Sequence, residues 1–314
     1  VTAAAREFVT PLTLQTVAEG PVYGEMFTPL TPGAHNVEHV ALAQRADLLL
    51  IAPLTANTLA KLATGQADNL LTCTYLATAV PTLLCPAMNT GMWQHAATRA
   101  NLELLKQRGA LVLEPACGML ACGVEGQGRM PAPEAVAFSA FKALSSQDLQ
   151  GKRVLITCGP TAEDIDPVRF ITNRSTGLMG ACLAEAATLR GATVTVISGP
   201  VALDYAPGVE VVNVRSAADM LAAVESRLES CDALVMAAAV ADYTPAKRSA
   251  HKIKKGEMAN LELGRTADVL ATIKPLKGAK VYVGFAAETQ NELENAQDKL
   301  ERKGLDLIVA NTVG

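Results

Sequence analysis

The feature of this sequence that most restricts its fold is an alternation of short apolar runs with longer amphipathic stretches. The apolar runs are residues 48–52, 82–85, 111–113, 154–157, 193–198, 209–212, 233–237, 281–285 and 305–310. The stretches 98–108, 180–190, 217–230 and 288–303 have the apolar spacing of surface helices. Strands that are apolar throughout and alternate with helices are typical of parallel sheets covered on both faces. The pattern therefore predicts an α/β fold with mainly parallel sheets.

The alternation is interrupted between about residues 131 and 152, where a Pro-rich segment, one short helix and a polar segment follow each other. A chain of 314 residues is also long for a single core, since domains average about 150 residues. We expect a first domain over 1–143, a linker over 144–151 and a second domain over 152–314. The sequence opens directly into a helix and stops after a strand-like run, so we expect an N-terminal βα unit and a C-terminal end to be missing.

Composition excludes several classes of protein. The chain has 27 Lys and Arg against 31 Asp and Glu, and only 4% aromatic residues, which argues against nucleic-acid binding. The apolar run 233–241 is well short of the roughly 18 residues of a membrane span. The seven cysteines contain no CxxC pair, which disfavours structural zinc and indicates a reducing, cytoplasmic compartment.

Polar residues follow the first two apolar runs, where parallel strands would end. Thr55 and Asn57 precede a helix whose free N–H groups suit a phosphate, and a plain N-cap is the alternative. Asn89 has an amide suited to grip a carboxylate, but Met92 and Trp93 could simply be core, and taken alone the segment favours a structural role. His39, at a helix start, has the chemistry of a base or hydrogen-bonding partner, and a structural role is the alternative.

The glycine-rich segment 116–130 carries Cys117 and Cys122. Its length and glycine content predict a mobile flap rather than a hairpin turn, and a thiol on such a flap is suited to donate a proton. A surface loop with incidental cysteines is the alternative.

Together and in this order, these segments resemble the flavin-dependent phosphopantothenoylcysteine decarboxylase family over residues 1 to about 135. The motifs that carry the resemblance are His39, 52–59, 68–72, 86–89 with Met92 and Trp93, 121–123 and 128–130. The resemblance implies a flavodoxin-like flavoprotein domain. It also implies that flavin mononucleotide (FMN) is bound by Thr55, Ala56, Asn57, Thr58 and Ala87.

The same resemblance implies the catalytic roles. His39 would be the catalytic histidine, Asn89 would hold the substrate carboxylate, and Cys122 would protonate the enethiolate. Flavin chemistry suits the reaction, because oxidation of the substrate thiol to a thioaldehyde creates the electron sink that decarboxylation needs. Cys73, Cys85 and Cys117 are interpreted as packing residues.

A long polar loop, residues 158–180, follows the first strand of the second half, in place of the GxGxxG of an ordinary dinucleotide site. The small residues of 175–180 allow a phosphate to approach the backbone before a helix. Arg169 and Asn173 would share one face if this piece were helical, and a cation with an amide suits a phosphorylated carboxylate. A surface loop with scattered polar residues is the alternative.

Three further features could serve a nucleotide. Asp242 follows the run 233–237 and could hold a ribose or a magnesium-bound phosphate. Lys252 opens a basic run that is either a solvated face or a neutraliser of phosphate charge. Lys299 and Lys303 are four residues apart on one predicted helix, so they point at one site or belong to a solvated face.

Residues 151–314 resemble the phosphopantothenate–cysteine ligase family, joined after the decarboxylase as in bacterial bifunctional coenzyme A proteins. The matching motifs are 159–161, 166–173 with Ser175 and Gly177, 237–242, 252–255 and 284–289. The resemblance implies a Rossmann-like nucleotide-binding domain that uses CTP to convert 4′-phosphopantothenate into an acyl-cytidylate, from which the amine of cysteine displaces CMP.

Site roles in this half also come from the resemblance. Asn173 would act on the acyl-cytidylate, Arg169 would contact the same ligand, and Lys252 would stabilise charge during activation. The implied CTP-binding residues are Asp242, Thr266, Ala267, Asp268, Val269, Phe285, Lys299 and Lys303. Mg²⁺ or Mn²⁺ is expected with the triphosphate, without assigned ligands. The resemblance further implies homo-oligomers, trimeric through the flavin domain and dimeric through the ligase domain.

Two rival functions stay open at this point. One is a non-catalytic, flavodoxin-like regulatory binding protein, against which the intact His39, Asn89 and Cys122 argue. The other is an NAD(P)-dependent oxidoreductase, which the absence of GxGxxG after residues 154–157 disfavours. In each case the expected partners are small molecules, with no nucleic acid and no membrane.

Overall fold

The computed structural model describes residues 1–27, 37–120, 123–256, 260–288 and 290–312, with Glu288 and Thr312 described by backbone only. The chain divides into two compact units, Val1–Leu144 and Ser145–Gly314. The finer division with a linker over 144–151 stays a prediction. Among the described residues, no helix combines the length and apolar character that crossing a membrane requires.

The first unit contains a three-stranded parallel sheet of order β1-β2-β3 and a separate antiparallel pair, β4-β5. The strands are β1 (Leu49–Leu54), β2 (Thr82–Pro86), β3 (Leu111–Val112), β4 (Ala116–Met119) and β5 (Glu125–Arg129). The helices are α1 (Ala3–Arg6), α2 (Pro11–Ala18), α3 (Glu38–Arg45), α4 (Ala56–Thr64), α5 (Leu70–Ala77), α6 (Thr90–Gln94), α7 (Ala96–Gln107) and α8 (Pro133–Leu144).

The core of the first unit forms where α4 and α7 cover the sheet. β2 is buried along its whole length, as its apolar sequence predicts. Leu102 and Leu105 of α7 pack with Leu59 and Leu62 of α4 in one buried cluster, because residues three apart lie on the same face of a helix. α4 ends at Gly65, whose φ of 74° is the left-handed conformation that favours glycine at a helix end.

The second unit contains a six-stranded parallel sheet of order β10-β9-β6-β11-β14-β15. Its strands are β6 (Arg153–Cys158), β9 (Thr193–Ser198), β10 (Glu210–Asn213), β11 (Ala233–Met236), β14 (Val281–Glu288) and β15 (Leu307–Thr312). Two antiparallel pairs add β7 (Ala162–Asp164) with β8 (Phe170–Thr172), and β12 (Tyr243–Pro245) with β13 (Leu263–Arg265). The helices are α9 (Leu178–Leu189), α10 (Ala217–Leu228), α11 (Val269–Ile273) and α12 (Glu292–Lys303).

The strand order of this sheet is that of a Rossmann fold, which confirms the predicted fold of the second domain. The chain runs outward from β6 through β9 to β10, then returns to β11 on the other side of β6. Ligands of such sheets bind beyond the carboxyl ends of the strands, at the point where the order reverses. That point lies between β6 and β11.

Two expectations about loops were wrong. Ala116–Met119 and Glu125–Arg129 pair as the antiparallel hairpin β4–β5, although the length of the segment was expected to prevent one. Gly128, with φ of 149°, allows β5 to come close to the backbone of Met88. The segment between Arg169 and Asn173 is strand β8, not a helix. Arg169 and Asn173 therefore flank a strand instead of sharing a helical face.

Shortening a buried side chain on the central strand β11 should destabilise the second unit strongly. Leu234 is fully buried in the main core cluster of this unit. We expect Leu234→Ala to lower the free energy of unfolding by about 2–5 kcal/mol, because it leaves a cavity among close-packed side chains. The measurement is denaturant unfolding followed by circular dichroism.

The matched control is Leu293→Ala on α12, where the leucine is 85% exposed. Its expected change is within about 0.5 kcal/mol. Equal effects of the two substitutions would contradict the placement of β11 in the core.

Candidate active sites

The first candidate site lies where β1 and β2 end side by side. The two strands pair in parallel up to Leu54 and Pro86. The Ala87 N–H then donates to the Leu54 carbonyl at 2.9 Å. This bond places Ala87 next to the chain that enters α4 at Thr55, so two of the sequence-predicted flavin segments meet at one edge of the sheet.

The amino terminus of α4 opens onto this edge. The Thr55 hydroxyl accepts the Thr58 N–H at 3.3 Å, so Thr55 is the N-cap and Asn57 is not. The N–H groups of Ala56 and Asn57 have no acceptor within the helix, as for the first turn of any helix. Asn57 is exposed, and Ala56 and Thr58 are half-buried. A capped helix start with two free N–H groups fits the phosphate of a flavin nucleotide.

Asn89 lies beside the hairpin β4–β5. Its side-chain oxygen accepts the Gly91 N–H at 2.8 Å and so caps α6. The hairpin packs on the same turn, because the Met88 N–H donates to the Gly128 carbonyl at 2.9 Å. A Cβ on Gly128 would lie 2.1 Å from the Met88 oxygen, so the contact requires glycine. The predicted flap therefore has its base next to Asn89.

Cysteine placement follows the predictions only in part. Cys122 lies outside the described residues. Cys73 and Cys85 are buried, as expected of packing residues. Cys117 is exposed on β4, so its interpretation as a packing residue was wrong.

His39 is the second residue of α3, as predicted, and is half-buried. Its helix packs against α5. Within the described parts of the chain, no hydrogen bond or ion pair joins His39 to Thr55, Ala87 or Asn89. The structure thus brings together the strand-end residues of the first site but gives no such link to the histidine.

The second candidate site lies at the switch point between β6 and β11. Beyond the strands, the Ala239 N–H donates to the Gly159 carbonyl at 2.9 Å, and the Thr161 N–H returns a bond to the Ala239 carbonyl at 3.3 Å. The buried Thr161 hydroxyl accepts the Ala241 N–H at 2.9 Å. These bonds extend the sheet by a short ladder and hold the two site loops together.

Asn173 joins this ladder from the loop after β8. Its amide nitrogen donates to the carbonyls of Ala239 and Val240, at 3.2 and 3.1 Å. Both bonds use the nitrogen, so the exposed amide oxygen is the atom available to a ligand. A cavity of about 420 Å³ lies between residues 174–180, which end in the first turn of α9, and Ala237. The predicted phosphate loop and Asn173 therefore belong to the same end of the sheet.

The predicted CTP residues fall into two groups, one around Asp242 and Thr266 and the other around the lysines of α12. The Thr266 N–H donates to the Asp242 carbonyl at 3.0 Å, which joins these two residues. Asp268 caps α11 and pairs with Lys303. The Lys299 ammonium donates to the Phe285 carbonyl at 2.7 Å. The two lysines of α12 thus reach the Phe285 carbonyl within β14 and the N-cap of α11.

Ala267 lies between Thr266 and Asp268, and Val269 follows Asp268 as the first residue of α11. Ala267 is exposed. Val269 is only 4% exposed and packs in the core, so its backbone alone is available to a ligand.

Lys252 stands on a loop that a buried carboxylate holds. The adjacent Ile253 N–H donates to Asp166 at 3.2 Å, and the Arg169 guanidinium donates to the Ile253 carbonyl at 2.8 Å. Arg169 also bonds Asp166 through Nε at 3.0 Å, and this guanidinium holds the pKa of that carboxyl well below its usual range. Sequence reasoning missed Asp166 as a site residue. The available signal was its position three residues before Arg169.

Among the described residues, no group of three or more His, Cys, Asp or Glu side chains is arranged to hold a metal ion.

Substitution of Gly128 should detach the hairpin from the first site. We expect Gly128→Ala to break the bond from the Met88 N–H, because the added Cβ would overlap the Met88 carbonyl. Hydrogen–deuterium exchange should then accelerate at Met88. Gly123→Ala is the control, since its φ of 76° is strained but no atom lies within 4 Å of the added carbon. Equal acceleration in both variants would contradict the docking.

The charge on Asp166 should give a defined pH dependence. Its folded pKa is depressed below the ordinary value of 3.8, mainly by hydrogen bonds from Arg169. The stabilisation is therefore present above that value and is lost as the pH falls toward the folded pKa. We expect Asp166→Asn to destabilise the protein at about pH 7 and the difference to shrink at about pH 3 in denaturant unfolding. A difference independent of pH would contradict the ionic role.

Comparison with known proteins assigns each unit to a family. Residues 1–143 match the family described as Flavoprotein, and residues 149–314 match the DNA/pantothenate metabolism flavoprotein C-terminal domain. The chain is 47% identical to the coenzyme A biosynthesis bifunctional protein CoaBC of Bacillus subtilis (strain 168), over 100% of this chain and 78% of that protein. It is 46% identical to a cysteine/cysteine sulfinic acid decarboxylase from an unknown prokaryotic organism, over 97% of this chain and 87% of that protein.

The chain is also 48% identical to a solved C-terminal domain of a CoaBC protein. That match covers 53% of this chain and 80% of the solved domain, with a TM-score of 0.48. The sequence matches extend across both units and reproduce their order. The chain therefore belongs to the family of bifunctional coenzyme A biosynthesis proteins, as the motifs of both halves predicted.

Proposed function

We propose that the chain is a bifunctional enzyme of coenzyme A biosynthesis. The second unit condenses 4′-phosphopantothenate with cysteine, and the first unit decarboxylates the resulting phosphopantothenoylcysteine to 4′-phosphopantetheine. The observation that carries this proposal is that, in a chain of this family, predicted phosphate- and nucleotide-binding residues gather at the carboxyl ends of both parallel sheets. Family membership and this geometry favour neither rival function, the regulatory binder or the NAD(P) oxidoreductase.

The ligase reaction has two steps. The carboxylate of 4′-phosphopantothenate attacks the α-phosphorus of CTP, so that an acyl-cytidylate forms and pyrophosphate leaves. The amine of cysteine then attacks the acyl carbon, CMP leaves and the amine loses a proton. Lys252 neutralises charge that develops in the first step. Asn173 and Arg169 hold the activated carboxyl.

The nucleotide of this reaction is held by the groups around α11 and α12. Lys299 and Lys303 supply positive charge close to Phe285 and Asp268, which supports a triphosphate site at this edge. Asp242 and the segment 266–269 complete the binding of CTP. Mg²⁺, or Mn²⁺, accompanies the triphosphate, since its charge must be reduced before attack.

The first unit is proposed to hold FMN at the start of α4 and at Ala87. When bound, FMN supplies reversible oxidation of the substrate thiol. The chain supplies the rest: Thr55, Ala56, Asn57 and Thr58 fix the phosphate, and Asn89 orients the substrate carboxylate. His39 acts as base, and Cys122 returns the proton that completes the product.

Free cysteine is a second candidate substrate for the first unit. The relative that is 46% identical is named for the decarboxylation of cysteine and cysteine sulfinic acid, and it covers nearly the whole chain. A full set of ligase residues in the second unit supports the phosphopantothenoyl substrate instead. Direct competition between the two substrates decides the matter.

We also place the enzyme in the cytoplasm as a homo-oligomer, trimeric through its flavin domains and dimeric through its ligase domains. Large apolar side chains that are exposed on each unit support subunit contacts, for example Phe8 at 89% and Leu178 at 59% exposure.

Product masses test the proposed function. The purified protein with FMN is incubated with 4′-phosphopantothenate, cysteine, Mg²⁺ and CTP, and the products are weighed by mass spectrometry. The expected product is phosphopantothenoylcysteine less the mass of carbon dioxide. Formation of phosphopantothenoylcysteine alone would remove the decarboxylase part of the proposal. Decarboxylation of free cysteine in preference to added phosphopantothenoylcysteine would favour the second candidate.

Single substitutions should separate the two reactions. We expect His39→Asn to abolish decarboxylation of added phosphopantothenoylcysteine and to leave its synthesis unchanged. Asn173→Asp should do the reverse, because a carboxylate cannot donate to the carbonyls of Ala239 and Val240 and repels the acyl-cytidylate. Loss of both activities in either variant would contradict the assignment of one reaction to each unit.

A further inference from the structure

We propose that Asp166 is the positioning residue for Lys252 in the ligase reaction. With Arg169, its carboxylate holds both backbone polar atoms of Ile253 and so fixes the place from which the Lys252 side chain extends. The inference rests on the proposed ligase function, because it assigns Asp166 a role in the activation step that Lys252 serves.

Both carboxylate oxygens of the buried Asp166 accept hydrogen bonds. The residue is 1% exposed, and one carboxylate oxygen accepts the N–H groups of Val168 and Arg169 at 2.8 Å each. The other oxygen accepts the Arg169 guanidinium and, at 3.2 Å, the Ile253 N–H. Arg169 in turn donates to the Ile253 carbonyl. A buried charge is costly unless it is paired and hydrogen-bonded, and here the bonds from Val168 and Arg169 leave one further bond that reaches the distant loop residue Ile253.

The preceding part of the same loop is attached to the same strand end. Arg248 pairs with Asp164 at 2.9 Å, and the Ser249 N–H donates to the Ile165 carbonyl at 2.9 Å. The Ser249 hydroxyl closes a turn by donating to the His251 carbonyl at 2.6 Å. The loop is thus held on both sides of Lys252.

The placement of the Lys252 side chain depends on the backbone of this loop. It is exposed, and within the described residues it makes no hydrogen bond or ion pair. Lys299 and Lys303 differ, since their ammonium groups bond Phe285 and Asp268. The loop that Asp166 holds therefore sets the point from which the Lys252 side chain extends. Misplacement of a catalytic group by about 1 Å can cost on the order of 10²-fold in rate.

The test compares Asp166→Asn with a matched control, Asp148→Asn. Asp148 also bonds an arginine, Arg190, through Nε and Nη2, in the same unit but in an exposed pair away from the strand-end site. We expect Asp166→Asn to slow CTP-dependent pyrophosphate release on the order of 10²-fold. The Kd for CTP should stay within about twofold, because binding precedes the step that Lys252 serves. The control should retain wild-type rates.

Limited proteolysis gives a readout that is independent of activity. Trypsin cleaves after lysine, and Lys252, Lys254 and Lys255 lie on the loop. We expect faster cleavage at these sites in Asp166→Asn than in the wild type or the control, with the rest of the second unit intact by mass. Equal cleavage rates would overturn the proposed clamp, whether or not the ligase activity is found.

A double-mutant cycle separates positioning from general damage. If Asp166 acts through Lys252, Asp166→Asn should cause no further loss of pyrophosphate release in a Lys252→Ala background. Additive losses would overturn the inference. If Asp166→Asn fails to fold by circular dichroism, Arg169→Lys replaces it in the proteolysis test alone, since lysine keeps the charge but loses the N–H that reaches the Ile253 carbonyl. Wild-type protein that releases no pyrophosphate would instead refute the proposed function itself.

Discussion

Both candidate sites depend on backbone hydrogen bonds that continue the parallel sheets beyond the ends of their strands. In the first unit a bond from Ala87 to Leu54 plays this part, and in the second unit the bonds between Gly159 and Ala239 do so. Since parallel strands all end at one edge, residues far apart in the sequence arrive there together. The loops that follow need only small residues and a few side-chain amides to become a binding surface.

Charge is distributed differently around the two sites. The first presents the free N–H groups of a helix start, which suit the proposed single phosphate. The second collects lysines on α12 and on the loop after β12, which suits the proposed triphosphate. The buried Asp166 is one of several carboxylates that pair with the cations of this region. Its negative charge holds Arg169 and the loop backbone in place, so it organises the positive groups instead of opposing them.

The sequence predicted the parallel strands and the residues at their ends, because an uninterrupted apolar run indicates a strand that is buried on both faces. It did not predict the antiparallel pairs β4–β5, β7–β8 and β12–β13, whose strands are short and partly exposed. The contact of Asp166 with Ile253 was missed for another reason: the two residues are 87 positions apart, and local spacing carries no trace of such a contact. Burial of the Val269 side chain likewise follows from tertiary packing, not from the motif around it.

Ligand footprinting by hydrogen–deuterium exchange tests most directly the claim that each sheet edge carries its own site. FMN alone should slow exchange around residues 55–58 and 87–89 and leave the second unit unchanged. CTP with Mg²⁺ should slow exchange around Asn173, Asp242 and residues 266–269 and leave the first unit unchanged. Protection by CTP in the first unit, or protection by either ligand away from the strand ends, would contradict the account.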